Sequence, residues 1–238
     1  TTKAAVHELM RSKTEHVSNG FHDYQVETGE PSSDSAEAAL LWSLISTSPM
    51  SEAEKEIQRL QDDLQFSKIL GYFPTPTTVA QELVMEAGVS GGDLVLEPSI
   101  GSAAIAEQAK DYGATVKGYE INHSLHKLST LKGFDVECED FMSVEPEEIY
   151  DAVVMNPPFE KGQDMDHVRH AFKFLKPGKI LTAIMSPAFQ FHQSKKAQQF
   201  RDWLRELNWA EKALPEGTFK ESGTGVNTVM LVIQKDES

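Results

Sequence analysis

The chain has 238 residues, 39% hydrophobic and 25% charged, a balance that suits one globular domain with an appendage and excludes wholesale disorder, a collagen-like repeat or a disulfide scaffold. Cys138 is the single cysteine, which excludes an internal disulfide and any cysteine-built zinc cluster, and its thiol is expected to be packed. A formal net charge of −15 argues against a generic nucleic-acid coat protein.

Residues 1–35 are polar, interrupted by SNG and ETGEPSSDS, and show no sustained period, which predicts a frayed or partner-dependent arm. AEAALLWSLIS from Ala36 predicts a short helix, and Ser51 followed by Glu54 is a capping-box signature opening a second, with Ile57, Leu60 and Leu64 on one face. No apolar run approaches the roughly 18 to 20 residues that span a bilayer, and the first residues lack a secretory apolar core, so the expectation is a cytoplasmic protein without membrane contact.

From Gly71 onward helical and strand patterns alternate. FPTPTTVAQELVMEAG predicts a helix stopped by Gly88, and DLVLE at 93–97 a buried strand. A helix over 102–112, a strand at 115–120, a helix ending at Gly133, a strand at 134–138 and a strand at 151–156 follow. Val168, Ala171, Phe172 and Leu175 mark one more helix, Pro177-Gly178 a break, KILTAIMS a strand, and Phe200, Trp203, Leu204 and Leu207 a last helix. Strands separated by helices imply βαβ crossovers and a mostly parallel sheet. The strands at 209–214 and 226–234 have only a loop between them, which predicts an antiparallel pair at one edge.

In such a sheet ligands bind beyond the carboxyl ends of the strands. Glu97-Pro98-Ser99-Ile100-Gly101-Ser102-Ala103 is a small-residue turn before a helix N-terminus, where backbone can approach a ligand closely. Glu120 ends the second strand at the distance where a carboxylate accepts from ribose hydroxyls, and Asp140-Phe141 after the third offers an acid for an exocyclic amine and a ring for a base. Together these describe an adenosine site. Asn156-Pro157-Pro158-Phe159 closes the fourth strand: the prolines stop the ladder and leave the Asn side-chain oxygen and the Pro157 carbonyl as acceptors for a planar amino group. The Phe159 ring is placed to stack on that substrate. Residues 161–200 hold 7 basic and 2 acidic residues, against 4 and 16 in 71–160.

These motifs resemble the class I S-adenosylmethionine-dependent methyltransferases with a Rossmann-like fold, and among them the amino-methyltransferases with an (D/N)PP(Y/F) turn. Phe73-Pro74-Thr75-Pro76 upstream of the EPSxGS turn, with NPPF downstream, is the order of the gamma-type N6-adenine DNA methyltransferases, including restriction-modification enzymes. The resemblance covers about residues 66–235, with LPEGTFKESGTGVNTVMLVIQK similar to the end of their catalytic domain. It implies a helical N-terminal arm at 1–70 and a catalytic domain at 71–238 that methylates adenine N6 in DNA on a flipped base. Phe73, Thr75 and Pro76 would border the methionine end of S-adenosylmethionine. Glu97, Pro98, Ser99 and Gly101 would line the turn, Glu120 hold the ribose, Asp140 and Phe141 hold the adenine, and Ile121 also contact the cofactor. Asn156, Pro157, Pro158 and Phe159 would carry the chemistry, Asn156 also touching the cofactor, with Lys161, Lys195 and Lys196 meeting phosphates.

The chain departs from that group at Ala103, where a second glycine is usual, and at Ile100, where a small residue is usual. A target-recognition domain of the kind usual in that group is expected to be absent, and a specificity partner or second copy is expected to supply selectivity. NPPF also suits methylation of adenine in structured RNA or of a glutamine amide in a protein; a noncatalytic binding or assembly subunit is the reading from another class. The pairs His123/His126 and His167/His170 lack a third ligand, so no metal is expected and the histidines are read as solvated. Ser186 has no GxSxG elbow.

Overall fold

The computed structural model describes residues 50–66, 69, 72–215, 217–219 and 227–237; the polar arm at 1–35, the helix expected from Ala36 and the stretch at 220–226 lie outside them. The chain divides into two compact units, Thr1–Lys55 and Glu56–Ser238. The capping box forms in the first: Ser51 N donates to Glu54 Oε2 at 2.8 Å and Glu54 N to Ser51 Oγ at 3.1 Å, starting α1 (Glu52–Phe66).

The second unit is built on one sheet. Its strands are β1 (Leu94–Glu97), β2 (Thr115–Tyr119), β3 (Asp135–Glu137), β4 (Tyr150–Met155), β5 (Leu175–Met185), β6 (Asn208–Ala213) and β7 (Val229–Gln234). Their order is β3-β2-β1-β4-β5-β7-β6, with the first five parallel and β7 antiparallel to both β5 and β6. The edge pair is antiparallel as expected. Helices α2 (Thr77–Glu86), α3 (Ala104–Asp111), α4 (His123–Leu131), α5 (Gln163–Ala171), α6 (Ala188–Phe191) and α7 (Lys195–Leu204) complete it.

Successive strand residues point to opposite faces, and both faces are apolar because both are covered. Val95, Ala152, Val154, Ile184 and Met230 pack with Val79, Leu83 and Val84 of α2 and Ile105 and Ala106 of α3. Leu96, Val153, Met155, Ala183, Met185 and Leu231 pack with Val168 and Ala171 of α5 and Phe200 and Leu204 of α7. Side chains buried as fully as Leu83, Phe200 and Leu204 contribute about 1.5–3 kcal/mol each relative to exposure. Thr182 in β5 satisfies its buried hydroxyl by donating to the Leu83 carbonyl at 3.0 Å, tying α2 to the sheet.

Three local expectations need correction. Pro177-Gly178 does not separate helix from strand: β5 already pairs Leu175 with Tyr150, and the register shifts before Ile180 meets Ala152. Gly178 (φ +74) permits this irregularity, and its N–H donates to the Lys235 carbonyl at 2.9 Å. Helix α5 therefore ends at Ala171, and Phe172–Phe174 form a 3₁₀ turn. Cys138 is exposed, with Sγ 3.1 Å from His123 Nδ1, because it lies just past the end of the short strand β3.

Candidate functional site

The strand order reverses between β1 and β4, and the carboxyl ends of β1 to β4 open onto a cleft of about 340 Å³. The turn after β1 is tight. Ile100 N donates to the Tyr119 carbonyl at 3.0 Å and Ala103 N to the Ile100 carbonyl at 2.8 Å. Gly101 (φ +54) and Ala103 (φ +68) both adopt left-handed conformations, so Ala103 keeps the backbone course that glycine would take. The Ile100 side chain is 2% exposed and packs against Gly118 of β2; a Cβ there would come within 2.6 Å of Ile100 Cδ1. The departure at Ile100 is thus accommodated by a glycine underneath.

Four carboxylates line the cleft: Glu97, Glu120, Glu139 and Asp140. Glu97 is 1% exposed; Oε2 is enclosed without a partner among the described residues, and burial pushes its pKa well above the ordinary carboxylate range. Glu120 Oε2 accepts from Gly101 N at 3.0 Å and Oε1 from Asn122 N at 2.8 Å; burial raises its pKa against those two hydrogen bonds. It therefore joins the turns after β1 and β2. Asp140 Oδ1 accepts from Met142 N at 3.0 Å, capping the Phe141–Ser143 turn.

Asn156 lies at the end of β4 on the cleft wall, and its Nδ2 is 3.1 Å from both the Phe73 carbonyl oxygen and Thr75 Oγ1. A carbonyl only accepts, so the amide nitrogen must face Phe73 and Oδ1 is the atom turned the other way. The upstream Phe73-Thr75 segment thus orients the side chain of the downstream turn. Pro158 lines the cleft as well, Pro157 is buried, and the Phe159 ring lies nearly parallel to Phe73 at 12°, with centroids 6.4 Å apart.

Among the remaining sequence-predicted residues, Phe73, Thr75, Pro98, Ser99, Ile121 and Phe141 line the cleft. Ile121 is 67% exposed, an apolar side chain offered to whatever occupies the cleft, whereas Phe141 is 2% exposed and packs among Tyr119, His170 and Phe174. Pro76 is the residue before α2, and its carbonyl accepts from Val79 N and Ala80 N. The basic segment is dispersed. Lys176 and Lys179 pair with Asp151 at the opposite end of β4, while Lys196 Nζ lies 2.5 Å from Asp166 Oδ2 and donates to the carbonyls of Lys161 and Gly162. Lys161 and Lys195 are exposed near the start of α5 and α7.

The cleft residues Tyr72 and His167, and several contacts nearby, escaped the sequence reading. The Tyr72 ring lies over Gly101, where a Cβ would come within 2.9 Å of it, and burial raises its hydroxyl pKa against a hydrogen bond with Ser102. Its position next to FPTP was the available signal. The histidines are not simply solvated: His126 and His170 contact the carbonyls of Val136 and Val144, and His167 is buried in the cleft wall. Asp164, in the first turn of α5, is 1% exposed; it accepts from Ser186 N at 3.1 Å, and burial raises its pKa to about 6. Among the described residues no group of three His, Cys, Asp or Glu is placed to hold a metal ion, and no helix is long and apolar enough to cross a membrane.

No family model and no curated protein sequence matches the chain. Solved structures do. The modification subunit of a candidate type I restriction enzyme from Vibrio vulnificus YJ016 matches with a TM-score of 0.64 at 15% identity, over 82% of this chain and 52% of that one. The type I restriction-modification methyltransferase subunit from Streptococcus thermophilus matches with a TM-score of 0.59 at 17% identity, over 68% of this chain and 45% of that one. The chain thus spans about half the length of these structures. The cyclase SpnF matches with a TM-score of 0.55 at 13% identity, over 76% of this chain and 93% of that one. The fold is the Rossmann-like fold of class I methyltransferases, and its occurrence in a cyclase means that fold alone does not specify the reaction.

Proposed function

We propose that the chain binds S-adenosylmethionine in the cleft and transfers its methyl group to the N6 amino nitrogen of an adenine in DNA, held at Asn156-Pro157-Pro158-Phe159. The observation that carries this reading is the orientation of Asn156: with Nδ2 engaged by Phe73 and Thr75, Oδ1 is the group left to meet a substrate. The residues fit the cofactor. The orphaned Glu97 Oε2 suits an ammonium, Glu120 a pair of ribose hydroxyls, and Asp140 an exocyclic amine.

When bound, S-adenosylmethionine would supply a methyl on a sulfonium sulfur, whose transfer to nitrogen breaks the S–C bond and leaves a neutral thioether. Asn156 Oδ1 and the Pro157 carbonyl accept the two hydrogens of the amine, drawing the nitrogen out of conjugation with the ring and aiming its lone pair. The proton released after transfer leaves along the Asn156 hydrogen bond toward solvent. Phe159 stacks on the base, a contact of about 1–3 kcal/mol. Holding the two reacting atoms in line supplies most of the acceleration, and extruding the base from a duplex costs a few kcal/mol that protein contacts must offset.

The restriction-modification likeness favours DNA over RNA or protein as substrate. A specificity partner or second copy, in a cytoplasmic setting, completes the reading. The test is transfer of a labelled methyl group to DNA, RNA and protein by the parent and by Asn156→Ala. Label on DNA adenine that disappears with Asn156→Ala supports the proposal; equal transfer by both, or label on RNA or protein alone, overturns it.

A further inference from the structure

Helix α5 presents His167 to the cleft beside Asp140 and Phe141. The residue is 8% exposed, and its ring lies 6.2 Å from that of Phe141, centroid to centroid, at 41°. Nδ1 is enclosed and has no hydrogen-bond partner among the described residues. His170, one turn further on, uses a ring nitrogen to reach the Val144 carbonyl at 3.0 Å; His167 has no such backbone contact among the described residues. An enclosed N–H without an acceptor is rarer and costlier than an enclosed lone pair, so the neutral ring carries its hydrogen on Nε2. Burial pushes the pKa of the ring down, favouring the neutral form, against the opposing influence of Asp140 and Asp166.

We propose that His167 is a specificity-determining residue for the adenine of the cofactor: its Nε2–H donates to the ring nitrogen beside the exocyclic amine whose hydrogen Asp140 accepts. This rests on the S-adenosylmethionine reading above. In adenine the 6-amino group donates while N1 and N7 on either side accept, so an acceptor and a donor next to each other on the protein match it. Asp140 Oδ1 already takes the Met142 amide, which fixes the carboxylate and leaves Oδ2 for the amine. In hypoxanthine position 6 is a carbonyl, and Asp140 would face an oxygen. A site that pairs the buried His167 with the Asp140 carboxylate discriminates against the mismatched base because both groups are then left without a matching partner on it.

The experiment is calorimetry of the full chain with S-adenosylhomocysteine, S-inosylhomocysteine and the 1-deaza and 7-deaza forms of S-adenosylhomocysteine. The parent binds the adenine ligand tightly and the hypoxanthine ligand weakly. His167→Leu, which keeps the wall and removes the donor, loses about tenfold in affinity for S-adenosylhomocysteine, and His167→Gln, with an amide nitrogen near the Nε2 position, recovers most of it. One deaza ligand binds the parent and His167→Leu alike. That ligand comparison on the parent stands even if a variant does not fold. Equal affinity of parent and His167→Leu for S-adenosylhomocysteine, or deaza ligands that both bind the parent like S-adenosylhomocysteine, overturns the role of His167 alone. Failure of the parent to bind S-adenosylhomocysteine overturns the methyltransferase reading with it.

Discussion

Gly101 and Glu120, 19 residues apart, are joined by a hydrogen bond from the Gly101 N–H to Glu120 Oε2 at 3.0 Å. The second oxygen takes the Asn122 N–H, so one carboxylate fixes the two turns that form the floor of the cleft. Glu120→Ala leaves two partly buried N–H groups unpaired and is expected to lower stability by about 1–3 kcal/mol and to weaken S-adenosylhomocysteine binding. Chemical denaturation and competition binding check the two effects; parental values for both would mean that Glu120 neither braces the turns nor meets the ligand.

Gly101→Ala tests the same turn from its backbone. The substitution forces a left-handed residue, costing about 1–2 kcal/mol, and places a methyl 2.9 Å from the Tyr72 ring, which must move across the cleft. Loss of binding beyond the loss of stability is expected. Tyr72→Ala in the same background should restore part of the binding.

Asn156→Asp separates orientation from size. An aspartate puts an oxygen opposite the Phe73 carbonyl where Nδ2 donates at 3.1 Å, so the side chain is repelled from its position. Turnover is expected to fall at least tenfold, by more than cofactor affinity does. Single-turnover methyl transfer measures this, and undiminished turnover would show that the Phe73 contact does not set the geometry.

The lysines divide by their partners. Lys196 braces Asp166 and the carbonyls of Lys161 and Gly162, so Lys196→Ala should loosen the segment after Phe159 and lower turnover without changing the salt dependence of DNA binding. Lys161→Ala with Lys195→Ala should weaken DNA binding and flatten its salt dependence, since each exposed cation that meets a phosphate releases about one counterion. The slope of log affinity against log salt distinguishes the two variants.

Asp164 gives a pH dependence of stability. Its pKa rises from 3.8 unfolded to about 6 folded, so the folded state binds the extra proton in that window. Its favourable contribution is complete below about 3.8 and is lost as pH rises through about 6, a difference on the order of 3 kcal/mol. Asp164→Asn should flatten the fall in unfolding free energy between pH 4 and 7 relative to the parent. Parallel pH profiles for parent and variant would show that Asp164 does not carry it.

Elements whose apolar pattern repeats over several residues were legible in the sequence: β4 and α2 are set by local periodicity, and Gly88 ends α2 because it tolerates a positive φ. The residues of the cleft wall were legible in part, since small turns and carboxylates at strand ends have one place to go in a parallel sheet. What each side chain does there was decided by long-range contacts. Asn156 meets Phe73 from 83 residues away, Lys196 is tied to Asp166 from 30, and Gly178 completes β5 through the carbonyls of Lys235 and Asp236. His167 and His170 share one spacing and one helix, yet one contacts a backbone carbonyl and the other faces the cleft with its Nδ1 enclosed. Periodicity fixes which face of an element is buried, but only the packing of distant segments fixes which polar atoms find partners, and the groups left without one are where a ligand has something to gain.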